Sequence, residues 1–349
     1  MSRINTAPWA DTVRGFAMVL IVFGHTIGYS HELRELTIYL SSFYVPLFFV
    51  VSGYLFTHNP QESLLTFMRR KALRILVPYY VFALISLIPF YLFSGEVQGI
   101  LASRQDIDNP LLHGLFNILY ASGHNGGLAQ NSPLWFLPCY YTVIVLAKLV
   151  SEKISFENKY TSTGLAIGFL CIGFVVYRDF NYPMPYGLET ALIMLYFFFL
   201  GRQVKILHLG LQKITPYMAV VFLVLGYICH LFNGKISCMN NNYSESFLAF
   251  VLAATCSAIG YLTLFRCLRP NRPLAYIGVH TIPFLVMHKM PIVFFQSKMP
   301  VIGELLRFGT SVEQLGTSLA VTTVTILLCW SVHRFIIYKL PRLAWVFGE

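Results

Sequence analysis

Ten mostly apolar stretches recur along this chain, at roughly 13–31, 38–57, 74–94, 133–150, 162–178, 188–204, 216–232, 247–265, 274–295 and 316–336. The hydrocarbon core of a bilayer is about 30 Å thick, which a helix crosses in about 20 such residues. The recurrence predicts an all-α polytopic membrane protein with about ten transmembrane helices in a single domain spanning 1–349. Composition excludes the alternatives. Only 11% of the residues are charged and 56% are hydrophobic, whereas ordinary soluble domains carry about 25% charged residues. That leaves too little polar surface to cover a water-soluble core, and it excludes disorder, coiled coil, collagen and a secreted disulfide scaffold. Two stretches are less clean. The first holds Asp11 and Arg14 at its entrance and has no small-residue cleavage site, so it is not read as a removed signal peptide. The ninth contains Pro283 and Pro291.

The net charge of +10 would suggest nucleic acid in a soluble protein, so the positions of the cations decide. With the N-terminus inside and the helices alternating, only Arg34, Arg104, Arg178, Lys235, Lys289, Lys298 and Arg307 fall outside, and the other 18 of the 25 Lys and Arg residues fall inside. Cytoplasmic loops of membrane proteins are enriched in Lys and Arg. The bias therefore predicts cytoplasmic N- and C-termini and a multi-pass protein of the cytoplasmic (inner) membrane, with membrane lipid as surroundings and no nucleic-acid partner. The seven cysteines show neither CxxC nor zinc spacing and read as reduced packing residues, with no metal expected.

The longest connection, 95–132, lies outside and holds Asp106, Asp108, His113 and a Gly-rich stretch from Ser122 to Gly127. Loops of that length are often functional, and an interfacial helix near 110–121 fits. The outer loop 233–246 is rich in Asn, with Asn233, Asn240, Asn241 and Asn242. No internal repeat stands out, which counts against an inverted-repeat transporter.

Within the spans, Arg14 and His25 lie 11 residues apart, close to three helical turns. They therefore share one face, about 16 Å apart along the axis. This puts Arg14 at the inner boundary and His25 about halfway across, where an ionisable side chain is costly and faces the bundle interior or a wet cavity. By itself His25 is also readable as a hydrogen-bonded structural histidine, and Asp11 with Arg14 as an i, i+3 surface pair. Ser52 and Gly53 read alone as a packing site. The basic stretch Arg69, Arg70, Lys71 and Arg74 could bind anionic lipid, set topology or hold a phosphorylated cofactor. Trp135 could be an interfacial anchor, and His288, toward the outer end of its helix, has an easy water-exposed role.

In this order, the segments resemble the acyltransferase-3 family of integral membrane acyltransferases, which includes O-acetyltransferases of surface polysaccharides. The closer likeness is to fucose 4-O-acetylase-like and capsule enzymes. The matches are the Asp-x-x-Arg-Gly entrance with a membrane-embedded His (Asp11, Arg14, Gly15, His25) and the Phe-Phe-x-x-Ser-Gly of helix two (Phe48, Phe49, Ser52, Gly53). The basic loop ending at Arg74, Ile75, Pro78 and Tyr79 follows, then Leu134 to Leu137 and Phe284 to Pro291. The family's Arg-x-x-Arg reads Lys71-Ala-Leu-Arg74 here, and a lysine lacks arginine's bidentate fork.

The resemblance implies a membrane-bound O-acyltransferase that moves an acetyl group from cytoplasmic acetyl-CoA, as co-substrate, to a hydroxyl of a cell-surface glycan (capsule or O-antigen polysaccharide) or its lipid-linked precursor. It implies His25, Arg14 and Asp11 as catalytic residues. Arg69, Arg70, Lys71, Arg74, Ser52, Gly53 and Tyr79 would bind the donor, and Trp135 and His288 the acceptor. His25 would serve as general base or first take the acyl group itself. Arg14 would orient the donor or stabilise developing negative charge. A homo-oligomer is compatible with the sequence. The rival readings are a solute transporter or permease without acyl transfer, and a non-catalytic scaffold of the kind joined to serine racemases.

Overall fold

The computed structural model describes residues 8–28, 30–93, 110–156, 158–180, 182–210 and 215–347. Asp106, Asp108, Arg104, Arg3 and Lys213 lie outside the described residues. The elements in chain order are α1 (Pro8–Ile27), α2 (Arg34–Leu55), α3 (Leu64–Phe93), α4 (Pro110–Tyr120), α5 (Phe136–Lys153), α6 (Lys159–Asp179), α7 (Leu188–Gly210), α8 (Pro216–His230), α9 (Phe247–Cys267), α10 (Arg272–Val279), α11 (Thr281–Met287), α12 (Lys289–Lys298), α13 (Pro300–Phe308), α14 (Ser311–Val332) and α15 (Pro341–Val346). No strand occurs among them. The chain is an all-helical, multi-pass membrane protein.

The ten expected stretches fall largely on helices, with four differences, the early end of α1 at Ile27 among them. Eight of the described spans are long and apolar enough to cross a membrane. The ninth stretch is broken: α10 and the α11–α12 segment pass the same test together but meet at a 77° bend. The break is at His280, and the Thr281 hydroxyl caps the broken end on the Gly278 carbonyl at 2.8 Å. The stretch at 216–232 forms only the 15 residues of α8. The third helix also begins ten residues early, at Leu64, so the basic stretch is helix rather than loop. Ser63 starts it by accepting from the Thr66 amide, as an N-cap residue does.

Glycine at helix crossings brings the core together. A Cβ on Gly15 would overlap the Leu274 carbonyl, and one on Gly278 the Asp11 carbonyl. α1 and α10 therefore cross at backbone distance, the small-residue contact that replaces hydrophobic drive inside lipid. Gly53 and Gly201 do the same for α2 and α7, meeting the backbone at Phe198 and Val50. α1, α2 and α7 form the centre, with 61%, 67% and 61% of their spans buried, while α6 is 17% buried and α14 28%. The apolar side chains that α6 and α14 leave uncovered, such as Ile167, Phe174, Leu327 and Leu328, suit a lipid-facing surface.

α1 stops at Ile27, so His25 lies in its last turn rather than midway along a span reaching 31. Its cover comes from two folded-in segments: the 3-10 turn Ala129–Trp135 and the 3-10 turn Cys238–Asn240. The Asn-rich loop holds the second in place. Asn233 bonds the Tyr243 carbonyl and the Ser246 amide, both at 3.1 Å, and the Asn240 side chain accepts from the Asn125 amide at 3.1 Å. Asn125 and Asn241 adopt left-handed backbone conformations, which Asn tolerates better than most residues.

Candidate active site

Two cavities lie along the central helices. The larger, of about 1010 Å³, is lined by Arg14 of α1, Ser52 and Phe48 of α2, and Arg70, Lys71 and Arg74 of α3, with Tyr140 and Lys148 of α5 and His280 at the α10–α11 break. Its mouth is marked by the exposed residues Thr57, Asn59 and Arg70, and its far end by the buried Leu137, Phe136 and Leu285. The smaller, of about 150 Å³, holds His25 with Ile21, Ser41, Tyr44, Ser132, Trp135, Ser237 and Met239. Phe136 and Leu285 line both.

Helical register explains which cations face inward. At about 100° per residue, Arg70, Arg74, Phe67 and Lys71 fall within one third of the α3 circumference, and all four line the larger cavity. Arg69 falls on the opposite side and is exposed, away from it. Arg70 donates from Nε and Nη2 to Glu62 at 2.8 and 2.7 Å. Both Arg70 and Lys71 lie 5.5 Å over the Phe67 ring. Lys148 is buried, donates to the Asn59 carbonyl at 3.0 Å and lies 3.4 Å from Glu152. Among the described residues the lining carries five cationic side chains and the carboxylate of Glu62, while Asp11 and Glu152 pair with Arg14 and Lys148 from behind it; the balance stays positive, an environment suited to an anion. The Arg70 hydrogen bond holds the Glu62 carboxyl below the usual carboxylate range.

Deeper in, Arg14 is paired through Nη2 with the buried Asp11. Its Nε is buried without a hydrogen-bond partner among the described residues. A buried donor left unmade costs about 1–3 kcal/mol, so this donor is available to a ligand in the cavity. Ser52 lines the wall with its hydroxyl 3.0 Å from the Tyr140 hydroxyl. Gly53 faces α7 instead, as described above. Tyr79 is fully buried and donates to the Ile118 carbonyl at 2.9 Å, so it ties α3 to α4 outside both cavities.

His25 is half-buried and opens into the smaller cavity. Its ring centroid lies 5.3 Å from that of His288. The position expected of His288, toward water, is not where it lies: it is fully buried. Its Nδ1 is 3.1 Å from the Phe284 carbonyl, and its Nε2 is buried without a hydrogen-bond partner among the described residues. Trp135 lines the His25 cavity. Ser41, Tyr44, Ser132 and Ser237 line the same cavity and add hydroxyl groups to its wall.

The structure thus gathers Arg14, Ser52, Arg70, Lys71 and Arg74 around one cavity, and His25 and Trp135 around the other. Sequence reasoning missed Lys148, which counted only as a topogenic charge, and also Glu62, Tyr140 and His280; Phe136 stood inside the Leu134 to Leu137 match without a role of its own. The His280 ring is 4.3 Å from that of His333, which opens a π-helical turn, His333–Ile337; such turns recur at functional sites. The one available signal for Lys148 was a cation four positions from Glu152 inside an otherwise apolar run.

A family model described as an acyltransferase domain, the acyltransferase-3 family, matches residues 7–334. No curated protein and no solved structure matches the chain.

Proposed function

The chain belongs to the acyltransferase-3 family of membrane acyltransferases, and from that premise we propose that it is an O-acetyltransferase. It moves the acetyl group of cytoplasmic acetyl-CoA to a hydroxyl of a cell-surface glycan or its lipid-linked precursor, in the inner membrane. The observation that carries this reading is the pair of cavities meeting at one wall, one rimmed with cations and reaching Arg14, the other holding His25. The permease alternative has no comparable observation in its favour.

Arg70, Lys71, Arg74 and Lys148 hold the phosphates at the mouth through charge-assisted bonds. Phe48, Leu137 and the other apolar residues of the far end enclose the narrow acyl-bearing arm. Ser41, Tyr44, Ser132, Ser237 and Trp135 orient the acceptor. His25 takes the proton of the acceptor hydroxyl as its oxygen attacks the thioester carbonyl carbon. The new C–O bond forms, the C–S bond breaks, and the imidazolium returns that proton to the departing thiolate. The products are the acetyl ester and free CoA thiol. Arg14, steadied by Asp11, offers its Nε to the donor arm in the larger cavity and orients the thioester toward the shared wall.

His25→Ala tests the reading. Membranes containing the variant should insert and hold the protein at the wild-type level and release no acceptor-dependent CoA thiol. Mass spectrometry of the surface glycans should show loss of an acetyl increment. A fully active His25→Ala protein would refute the assignment.

A further inference from the structure

His25 lines the smaller cavity alone, while the cation-rimmed mouth belongs only to the larger. On the reading proposed above, on which this inference rests, an acyl group must cross from one to the other. The residues common to both walls are Phe136 and Leu285. We infer that these two side chains form a fixed constriction that selects the acyl group by size, admitting acetyl and rejecting longer chains.

The two halves of the constriction are locked rather than hinged. The Phe136 ring is stacked on Tyr140 with centroids 5.7 Å apart and packs on Phe48 and Phe49, each at 5.5 Å. Leu285 is buried and lies three residues before His288, on the same side of its segment, so it stands beside the histidine pair. A fully buried side chain ties the halves together. Asn131, in the 3-10 turn leading into Phe136, donates from Nδ2 to the Val286 carbonyl, next to Leu285, at 3.0 Å, and to the Ser86 hydroxyl at 3.1 Å. A swinging gate would need this cross-tie to break at each turnover. A fixed aperture uses it to hold its width. In a fixed apolar opening each additional methylene that does not fit is rejected by about 10- to 200-fold.

The test uses full-length protein in membrane vesicles that retain the native acceptor, supplied with acetyl-, butyryl- or hexanoyl-CoA. Free thiol is read with a chromogenic reagent, and the His25→Ala rate is subtracted. Wild-type vesicles should prefer acetyl-CoA strongly. Phe136→Ala and, independently, Leu285→Ala should each raise the hexanoyl-to-acetyl ratio of kcat/KM at least about tenfold. Leu55→Ala, which widens the same cavity away from the shared wall, should leave that ratio where it was. Should Phe136→Ala fail to fold, the Leu285→Ala ratio decides. Equal use of hexanoyl- and acetyl-CoA by the wild type, or an unchanged ratio in a folded, active variant, overturns the constriction while leaving acyl transfer standing. If wild-type and His25→Ala vesicles release thiol equally from all three donors, the assignment of His25 fails, and the constriction, placed on the route to His25, falls with it.

Discussion

Glu62 is the one carboxylate among the described residues that line the cation-rimmed cavity, and it occupies Arg70 through two hydrogen bonds. A phosphate docking there must share or displace it. Glu62→Gln keeps the shape and removes the charge. Two effects favour the donor. An exposed bidentate pair is worth about 0.5–1 kcal/mol, and a phosphate charge about 7 Å from the carboxylate is repelled by about 0.6 kcal/mol in water, or about 2.4 kcal/mol at an effective dielectric constant near 20. Against them stands the looser positioning of Arg70 once its partner is neutral. The net expectation is about 1 kcal/mol, or roughly a fivefold lower KM for acetyl-CoA with kcat unchanged. Initial rates of thiol release across donor concentration measure it. Raising salt should shrink the difference, because exposed charges are screened beyond a Debye length of about 8–10 Å. In Arg70→Ala, which itself should raise KM, the gain from Glu62→Gln should fall, since the two share an interaction.

The pH behaviour follows from the same pair. The folded-state pKa of Glu62 is depressed by the Arg70 hydrogen bond. The pair's contribution is therefore fully present above the ordinary carboxylate pKa of about 4.3 and is lost only as pH falls through the lower folded value. The KM difference should accordingly be flat from about pH 6 to pH 8. A KM for Glu62→Gln equal to or above wild type at low salt would refute the placement of donor phosphates at Arg70.

Two other perturbations probe the frame that holds the site. Gly278→Val should drive a side chain into the Asp11 carbonyl, separating α1 from α10. Overpacking of this kind costs about 1–3 kcal/mol, and a lower melting temperature in detergent should accompany loss of activity. Asn131→Ala removes the tie from the turn before Phe136 to α11, at the Val286 carbonyl, and the tie to α3, at the Ser86 hydroxyl. At about 1 kcal/mol per buried hydrogen bond it should lower the melting temperature while leaving the protein inserted; an unchanged melting temperature would mean that those bonds carry no stability.

The sequence by itself determined the class of protein and the shared face of Arg14 and His25 on α1. Ten apolar runs are visible because the apolar composition that favours insertion into lipid is a property of each segment; eight became helices long enough to span, one stayed at the 15 residues of α8 and one broke at His280. The Arg14–His25 alignment was equally legible, since both lie on α1 and helical periodicity is a local property. Periodicity would also have separated Arg69 from Arg70, Lys71 and Arg74 had the basic stretch been read as the start of a helix. Its density of charge argued for a loop, but the polar end of a membrane helix can project past the lipid.

Only the tertiary structure decided what those helices leave between them. Gly53 and Tyr79 carry the look of site residues in the sequence, yet one seats a neighbouring backbone and the other ties two helices. His288 meets His25 across more than 250 residues of chain, and His280 reaches the larger cavity because the ninth stretch breaks where Gly278 is pressed against α1. The covering of His25 by segments near 132 and 237 likewise depends on loops whose polar sequence predicts only that they turn. A helix is written in neighbours a few residues apart, whereas a cavity is the space that distant segments fail to fill. Its walls therefore depend on how all of them pack at once.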